Sequence, residues 1–221
     1  MQFLFDENAG VSELCLKNEA FHHLKVRRVK AGEGLNLRNL KDDFLYTYTI
    51  KELGRNSCTL FLEQKTLTKA QIHTNLSLAV GVFEPKNIEK ILPFLNELGL
   101  YKLIFVFTQF SQADFKPNFA RFERILINSC EQCGRFEMMQ FECFESTAEF
   151  AKAYPNAIMV DFSAENDDFS VVGENDILFI GAEGGFTDDE RAFFKRKIRL
   201  KSPYILRSQS ALVSVVAKIL L

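Results

Sequence analysis

The spacing of hydrophobic positions changes about a third of the way along the chain. Up to about Leu67 the apolar residues occur in short alternating or β-branched runs, the longest being 44–50 and 57–62. Runs of this kind, separated by glycine-containing turns, predict short strands. One helical segment is expected between Ser12 and Val29. These patterns predict a small β-barrel over residues 1–67.

From Leu76 onward, apolar strands alternate with amphipathic helices. Strands are expected at 76–83, 102–107, 157–160, 177–180 and 203–206, and helices at 87–99, from Pro117 onward, and at 147–154, 187–198 and 208–220. This alternation predicts an α/β domain with a mostly parallel sheet covered on both faces. The α/β domain would span 76–221. Residues 68–75 are polar and aperiodic, and we expect them to be the linker.

The segment from Ile177 to Glu190 combines a strand, a glycine turn and the start of a helix. Its first four residues are uninterruptedly apolar, which is typical of a strand buried on both faces. Thr187 and Glu190 have the spacing of a capping box, so a helix is expected to begin there. The glycines between Gly181 and Gly185 permit positive φ and close approach by a ligand. A strand–loop–helix unit of this kind predicts either a ligand site or a tight turn without one.

Composition narrows the class of protein. A hydrophobic share of 47% with 25% charged residues is ordinary for a globular chain. The formal net charge of -2 means that any nucleic-acid site must be a local patch. No apolar run approaches the ~20 residues of a membrane helix, and the start of the chain is unlike a signal peptide. We therefore expect a cytoplasmic protein without membrane partners.

The five cysteines do not form a pattern that favours a metal or a disulfide framework. Their odd number and the lack of an export signal favour reduced thiols. Cys130 and Cys133 have the spacing of half a zinc site, but no second pair accompanies them. A redox pair would open a helix, whereas this one closes a helix. No metal site is expected, and both residues are interpreted as plain buried thiols.

Five short segments, in the same order and at similar spacing, resemble the motifs of the RsmE family. Members of that family methylate N3 of a uridine in small-subunit ribosomal RNA, and they belong to the knotted SPOUT superfamily. The segments are His22-His23-Leu24-Lys25-Val26-Arg27-Arg28 with Gly32, Glu97-Leu98-Gly99, Glu131-Gln132-Cys133-Gly134-Arg135, Gly181-Ala182-Glu183-Gly184-Gly185-Phe186 and Leu206-Arg207-Ser208-Gln209-Ser210-Ala211.

The resemblance implies a fold that the residues alone do not specify. It adds an RNA-binding, PUA-like character to the N-terminal β-barrel. It also implies that the C-terminal domain is a SPOUT domain whose chain is threaded into a deep trefoil knot. Knots are rare under general topology rules. The resemblance further implies a homodimer. The last helix is apolar enough to take part in the dimer interface, and ordinary packing against the sheet is the alternative for that helix.

The same resemblance implies that two loops of the knot bind S-adenosylmethionine. Backbone amides of the glycine loop would hold its polar groups, and apolar side chains would flank the adenine. Glu183 is expected either to contact the ligand or to accept hydrogen bonds from its own loop. The expected cofactor-binding residues are Leu178, Ile180, Gly181, Glu183, Gly184, Gly185, Leu200, Ser202, Leu206 and Ser208.

Methyl transfer to uridine N3 requires a site that favours the deprotonated, anionic base. A nearby guanidinium does this electrostatically, and the motifs nominate Arg135 and Arg207 as catalytic residues. A surface arginine or a structural ion pair is the alternative for each. Arg28 is expected to contact RNA from the β-barrel. Gln132 is expected either to bind a base edge or to cap a helix end.

The expected substrate is 16S ribosomal RNA or the small ribosomal subunit, methylated near the decoding site. Several positions depart from the family pattern, including Ala182 for Pro, Ser202 for Gly, Tyr204 for Arg and Gln209 for Glu. They keep two alternatives open. One is a SPOUT methyltransferase with another ribosomal or transfer RNA substrate, and the other is a non-catalytic RNA-binding protein. A dinucleotide-binding enzyme is disfavoured, since Gly-x-Gly-x-x-Gly is absent.

Overall fold

The computed structural model describes residues 2–26, 28–68, 74–111, 114 and 116–221, without the side chain of Glu19. The chain forms two compact units. The first contains residues 1–72 and 127–137, and the second contains 73–126 and 138–221. The sequence did not predict that 127–137 joins the first unit. Most of the proposed linker, residues 69–73, lies outside the described part of the chain.

The first unit is built on a five-stranded half-barrel sheet with the order β1-β3-β4-β5-β2. Strand β1 pairs with β3 in parallel, and the other neighbours are antiparallel. Leu16, Leu37, Tyr48 and Leu60 are almost completely buried in its core. The elements are β1 (Leu4–Phe5), β2 (Glu13–Lys17), α1 (Asn18–Val26), β3 (Gly34–Arg38), β4 (Phe44–Leu53) and β5 (Ser57–Leu67).

The helix expected between Ser12 and Val29 is wrong in its first part. Residues 13–17 form β2, in which Leu14 and Leu16 are buried and their neighbours are exposed. This two-residue period is the pattern of a half-buried strand. The backbone then turns at Asn18, where φ is 52°, and only 18–26 are helical.

The second unit contains a six-stranded sheet in which every pair of neighbours is parallel. Its order is β11-β9-β10-β6-β7-β8. The strands are β6 (Ser77–Gly81), β7 (Lys102–Val106), β8 (Gln140–Phe144), β9 (Ile158–Val160), β10 (Ile177–Ile180) and β11 (Arg196–Ile198). The helices are α2 (Pro85–Glu97), α4 (Thr147–Ala153), α5 (Asp188–Ala192) and α6 (Ser208–Leu220), with a 3-10 turn at Phe169–Val171. Helix α3 (Phe119–Cys133) begins in this unit, and its residues from 127 onward belong to the first.

Both faces of this sheet are covered by apolar side chains. On one face, Leu78, Val80 and Leu178 pack in a cluster with residues of α2 and α6. On the other face, Phe179 lies among the rings of Phe150, Phe186 and Phe194. Full burial of a Leu or Phe side chain contributes about 1.5–3 kcal/mol to the stability of the fold, so burial on both faces stabilises the sheet. The pairing of its strands confirms the predicted parallel architecture.

Three expectations for the second unit are corrected. The helix expected over 187–198 is the short α5 followed by β11, whose charged residues pair with β9 at the sheet edge. The strand expected at 203–206 is absent: Pro203 and Tyr204 form a bend, residues 203–205 are exposed and Leu206 is half-buried. Strand β8 was not predicted. The two missed strands, β8 and β11, each contain two charged or polar residues that interrupt the apolar pattern. The apolar run at 203–206 pairs with no described strand.

Candidate functional site at the carboxyl edge of the parallel sheet

The loops that follow the parallel strands gather at one edge of the sheet, because parallel strands share a direction. This edge is where α/β domains usually bind small ligands. Four loops are relevant here, and they follow β7, β9, β10 and β11. The loop after β10 contains the predicted glycine motif.

The loop after β10 is packed so tightly that two of its positions require glycine. A Cβ added at Gly181 would lie 2.9 Å from the backbone carbon and oxygen of Gly185. Gly185 has a φ of +73°, and its amide donates to the carbonyl of Ala182 at 2.9 Å. At Gly81 in β6, an added Cβ would lie 2.4 Å from the amide nitrogen of Ala182. The loop is thus held against the end of β6.

Gly184 lies at the outer side of this loop and is covered by Phe110. A Cβ at Gly184 would be 2.8 Å from the Phe110 Cβ. Within the described part of the chain, the amides of Glu183 and Gly184 donate no hydrogen bond to the protein. Both residues are exposed. Two amide donors are therefore available to a ligand.

A buried carboxylate lies directly behind the loop. Glu190 completes the predicted capping box with Thr187, and its Oε2 accepts from the Thr187 amide at 3.0 Å. Its Oε1 accepts from the Gln109 amide at 3.0 Å and from the Thr147 hydroxyl at 2.6 Å. Burial alone would raise the pKa of Glu190, but these hydrogen bonds lower it. The hydrogen bonds thus favour the ionised carboxylate, in which both oxygens accept.

A second buried carboxylate follows β9. Asp161 accepts from the Ser163 amide at 2.8 Å and from Arg191 Nε at 2.9 Å. Burial would raise its pKa, yet these partners lower it. Phe162, the next residue, is exposed and lies beside Gly185. The pair of Asp161 and Arg191 thus joins the loop after β9 to α5.

The loop after β11 is the fourth of these loops. Its first residue, Arg199, donates its amide to the carbonyl of Asn166 at 2.8 Å. Further along, the Ser202 hydroxyl donates to the carbonyl of Tyr204 at 2.8 Å and accepts from its amide at 3.1 Å. Tyr204 and Ile205 are 80% and 89% exposed. This loop therefore offers apolar surface that its own fold does not cover.

The predicted cofactor residues of the second unit divide by accessibility. Leu178 is completely buried in the core and Ile180 nearly so, so they support the loop from beneath. Glu183, Gly184 and Ser202 are exposed. Intermediate exposure is shared by Gly185, Leu200 and Leu206, while Gly181 and Ser208 are buried.

Arg207 immediately precedes α6 and is exposed. It is the one predicted catalytic residue located in the second unit. The other, Arg135, belongs to the first unit, as do Arg28 and Gln132. Arg28 and Gln132 are exposed, and Arg28 has a φ of 56°. Arg135 is half-buried, and burial lowers its pKa against the opposing effect of Cys130, Cys133 and Glu137.

The Glu-Gln-x-x-Arg segment has a structural role that the sequence did not reveal. The Glu131 carboxylate accepts from the Phe5 amide at 2.6 Å, and its carbonyl accepts from the Gln2 amide at 2.7 Å. Gly134 ends the helix with a φ of 83° and donates its amide to Cys130. This segment thus fixes the start of the chain within the first unit.

The described residues contain neither a metal-binding cluster nor a membrane-spanning helix. No group of three or more His, Cys, Asp or Glu residues in them is arranged to hold a metal ion. No helix in them is both long and apolar enough to cross a bilayer. All five cysteines are free thiols. Cys130 is buried as expected, whereas Cys133 is exposed, so the expectation of a buried thiol is wrong there.

Comparison with known proteins identifies the family. Residues 70–220 match the model of an RNA methyltransferase domain, and residues 16–63 match that of an RNA methyltransferase PUA domain. The chain is 42% identical to ribosomal RNA small subunit methyltransferase E of Helicobacter pylori, over 97% of each chain. The chain belongs to the RsmE family. It is also 26% identical to the Borreliella burgdorferi protein named ribosomal RNA small subunit methyltransferase E 2, over 96% of this chain and 93% of that protein.

The RsmE fold extends over both units. A crystal structure of ribosomal RNA small subunit methyltransferase E from Neisseria gonorrhoeae, bound to S-adenosyl methionine, superposes with a TM-score of 0.80. The match has 20% identity and covers 99% of this chain and 96% of that one. The predicted combination of a PUA-like domain with a SPOUT α/β domain is thus confirmed.

Within this RsmE domain, sequence reasoning missed two buried carboxylate networks. Glu190 was predicted only as a helix cap, and its bonds to Gln109 and Thr147 join positions distant in the chain. Asp161 and Arg191 were not singled out. An isolated aspartate after a strand gives no pattern that would identify its partner, so only the Thr-x-x-Glu spacing could have directed attention to Glu190.

Proposed function

We propose that this protein transfers a methyl group from S-adenosylmethionine to N3 of a uridine in 16S ribosomal RNA, near the decoding site. The main support is the 42% identity to the Helicobacter pylori small-subunit methyltransferase over 97% of each chain. The glycine loop adds independent support, since its exposed amides and close packing are what a cofactor loop needs.

The residues at the loops after β10 and β11 suit the proposed cofactor. Glu183 and Gly184 are exposed residues whose amides donate no hydrogen bond within the described part of the chain, so they can donate to its carboxylate or ribose. Leu200 and Leu206, half-buried, can flank the adenine. Ile180 and Leu178 would act by holding the loop in place. When bound, S-adenosylmethionine supplies an electrophilic methyl group on a sulfonium.

The chain's own contribution to the chemistry is to orient the uridine and stabilise its anion. N3 must lose a proton before its electron pair can form a bond to carbon. We assign to Arg135 and Arg207 the stabilisation of the negative charge that develops on the base, since a guanidinium placed there lowers the energy of the anion. Placement of N3 in line with the methyl group supplies much of the remaining acceleration.

RNA binding is assigned to the first unit, which matches an RNA methyltransferase PUA domain. Arg28 is exposed and can contact phosphate, while the exposed Gln132 can bind a base edge. The proposed partner is 16S ribosomal RNA or the small subunit, which would place the activity in the cytoplasm. We also propose a homodimer that uses part of α6.

Calorimetry followed by methyl transfer separates this proposal from its alternatives. The purified chain should bind S-adenosylmethionine, and should methylate small subunits from a strain that lacks its gene. Mass spectrometry of the digested RNA should show N3-methyluridine. Absence of cofactor binding would favour a non-catalytic RNA-binding protein, which the departures at Tyr204 and Gln209 allow. Methylation of another RNA alone would contradict the substrate assignment.

A further inference from the structure

Four hydrogen-bond donors converge on the carboxylate of Glu190 from three separate parts of the second unit. Thr187 lies in the loop after β10, Gln109 in the loop after β7, and Thr147 at the start of α4. The Thr187 hydroxyl is a further neighbour, at 3.3 Å from Oε2. Glu190 is buried. A capping box accounts for only one of its two oxygens, since Oε1 is used entirely by Gln109 and Thr147.

The bond to Gln109 determines where the next residue lies. Phe110 directly follows Gln109 and covers Gly184, whose added Cβ would meet the Phe110 ring at 2.9 Å. The loop after β7 is closed by its own bonds, in which the Ser111 hydroxyl accepts from the Thr108 amide at 2.9 Å. A shift of Gln109 would therefore move Phe110 relative to Gly184.

We propose that Glu190 is a positioning residue for the cofactor site, because its carboxylate ties the loop after β7 to the glycine loop after β10. This inference rests on the proposed function, since it assigns the glycine loop to S-adenosylmethionine. Glu190 itself is buried behind the loop and acts through Thr187, Gln109 and Phe110. Phe110 forms one wall beside the exposed amide of Gly184.

The chemistry of the carboxylate makes the inference testable. Each oxygen accepts from one hydroxyl and from one backbone amide, which can only donate. Glu190→Gln retains one accepting oxygen and places an NH2 group against the other amide. It can accept from the Thr187 amide or from the Gln109 amide, but not from both. Thr147→Val removes one donor and leaves the two loop amides bonded, so its effect should be smaller, and Thr147→Ser should restore wild-type behaviour.

Calorimetric titration of the full chain with S-adenosylmethionine tests the assignment. We expect Glu190→Gln to weaken binding by about tenfold, equivalent to about 1.4 kcal/mol. Phe110→Ala, which removes a side chain that is 49% exposed, should weaken binding with little change in Tm. Asp189→Asn is the matched control, since it removes an exposed carboxylate from the same helical turn.

A purely structural role predicts a different pattern. In that case, once the two variants are matched for Tm, Glu190→Gln would weaken binding no more than Phe122→Leu. The latter destabilises an aromatic cluster of the same unit that contains no hydrogen-bond partner of Glu190. Wild-type affinity in Glu190→Gln or in Phe110→Ala would overturn the inference while leaving the proposed function intact. Failure of the wild-type chain to bind would overturn both.

Discussion

At Gly181 a single methyl group decides whether the loop after β10 can close. The Cβ of an alanine there would lie 2.9 Å from backbone atoms of Gly185, which cannot move without opening the turn. We expect Gly181→Ala to cost about 1–3 kcal/mol, the usual range for overpacking, and to abolish cofactor binding. Urea unfolding and calorimetry measure the two effects.

Gly173 provides the control for that substitution. The nearest atom to its added Cβ is 3.8 Å away, an ordinary contact distance. Gly173→Ala should leave the free energy of unfolding unchanged or raise it slightly, because alanine has less backbone freedom in the unfolded chain. Equal behaviour of the two variants would contradict the close packing at Gly181.

The ion pair of Asp161 and Arg191 predicts a dependence of stability on pH. Folding lowers the pKa of Asp161, so its ionised form stabilises the protein above the unfolded value of ~3.9. That contribution is lost as pH falls through the folded value. We expect Asp161→Asn to cost about 1.5–3 kcal/mol at pH 7, the range for hydrogen bonds to charged groups, and less below about pH 4.

Denaturant unfolding at pH 7 and at pH 3.5 measures this difference. Asp188 is the matched control, since it also pairs with Arg191 but its side chain is 99% exposed. Asp188→Asn should change the free energy of unfolding by less than about 1 kcal/mol at either pH. A loss for Asp161→Asn that did not shrink at acid pH would contradict the assignment of a lowered pKa.

At the scale of elements, β1 depends on the end of α3. Among the described strands, this two-residue strand pairs only with β3, and Glu131 accepts the Phe5 amide at 2.6 Å. Glu131→Ala should cost about 1.5–3 kcal/mol, since it removes a hydrogen bond to a charged group. Hydrogen exchange at the Phe5 amide should accelerate. The exposed Glu123 of α3 supplies the control, and Glu123→Ala should leave that exchange rate unchanged.

Elements could be predicted where the apolar pattern was uninterrupted. Strand β10 and helix α6 were predicted nearly to the residue. Ile177–Ile180 is a continuous apolar run, and the apolar residues through Leu212 and Val216 repeat with the period of a helix. Strand β11 was missed because Arg196 and Lys197 have no apolar alternation. It forms by pairing with β9, and pairing between distant segments leaves no local pattern.

The candidate site could be predicted only in part, for the same reason. The glycine loop and the capping box of Thr187 and Glu190 are local patterns, and both are present. The contact of Phe110 with Gly184 joins residues that are distant in the chain. The apolar run predicted that Leu178 is buried in a strand, yet nothing local showed that it supports the loop from beneath and does not line the ligand site. Both facts depend on how the strands are ordered in the sheet.

For the whole molecule, the assignment of Arg135 and Arg207 predicts a change in catalysis rather than in folding. Arg207→Ala removes an exposed side chain, so its Tm should stay close to that of the wild type. Each alanine variant should lower kcat by roughly 100- to 1,000-fold, the range for losing a group that stabilises developing negative charge. Methyl transfer to small subunits measures the rates. The exposed Arg124 of α3 is the control, and an equal loss in Arg124→Ala would contradict the assignment.

The central claim is that the protein methylates N3 of a uridine in 16S ribosomal RNA, and nucleoside mass spectrometry tests it most directly. The RNA is taken from a strain that lacks the gene, and from the same strain after the wild-type chain or Arg207→Ala is restored. We predict that N3-methyluridine disappears from 16S RNA in the deletion strain. It should return with the wild-type chain and stay low with Arg207→Ala. Persistence of N3-methyluridine in the 16S RNA of the deletion strain would contradict the claim.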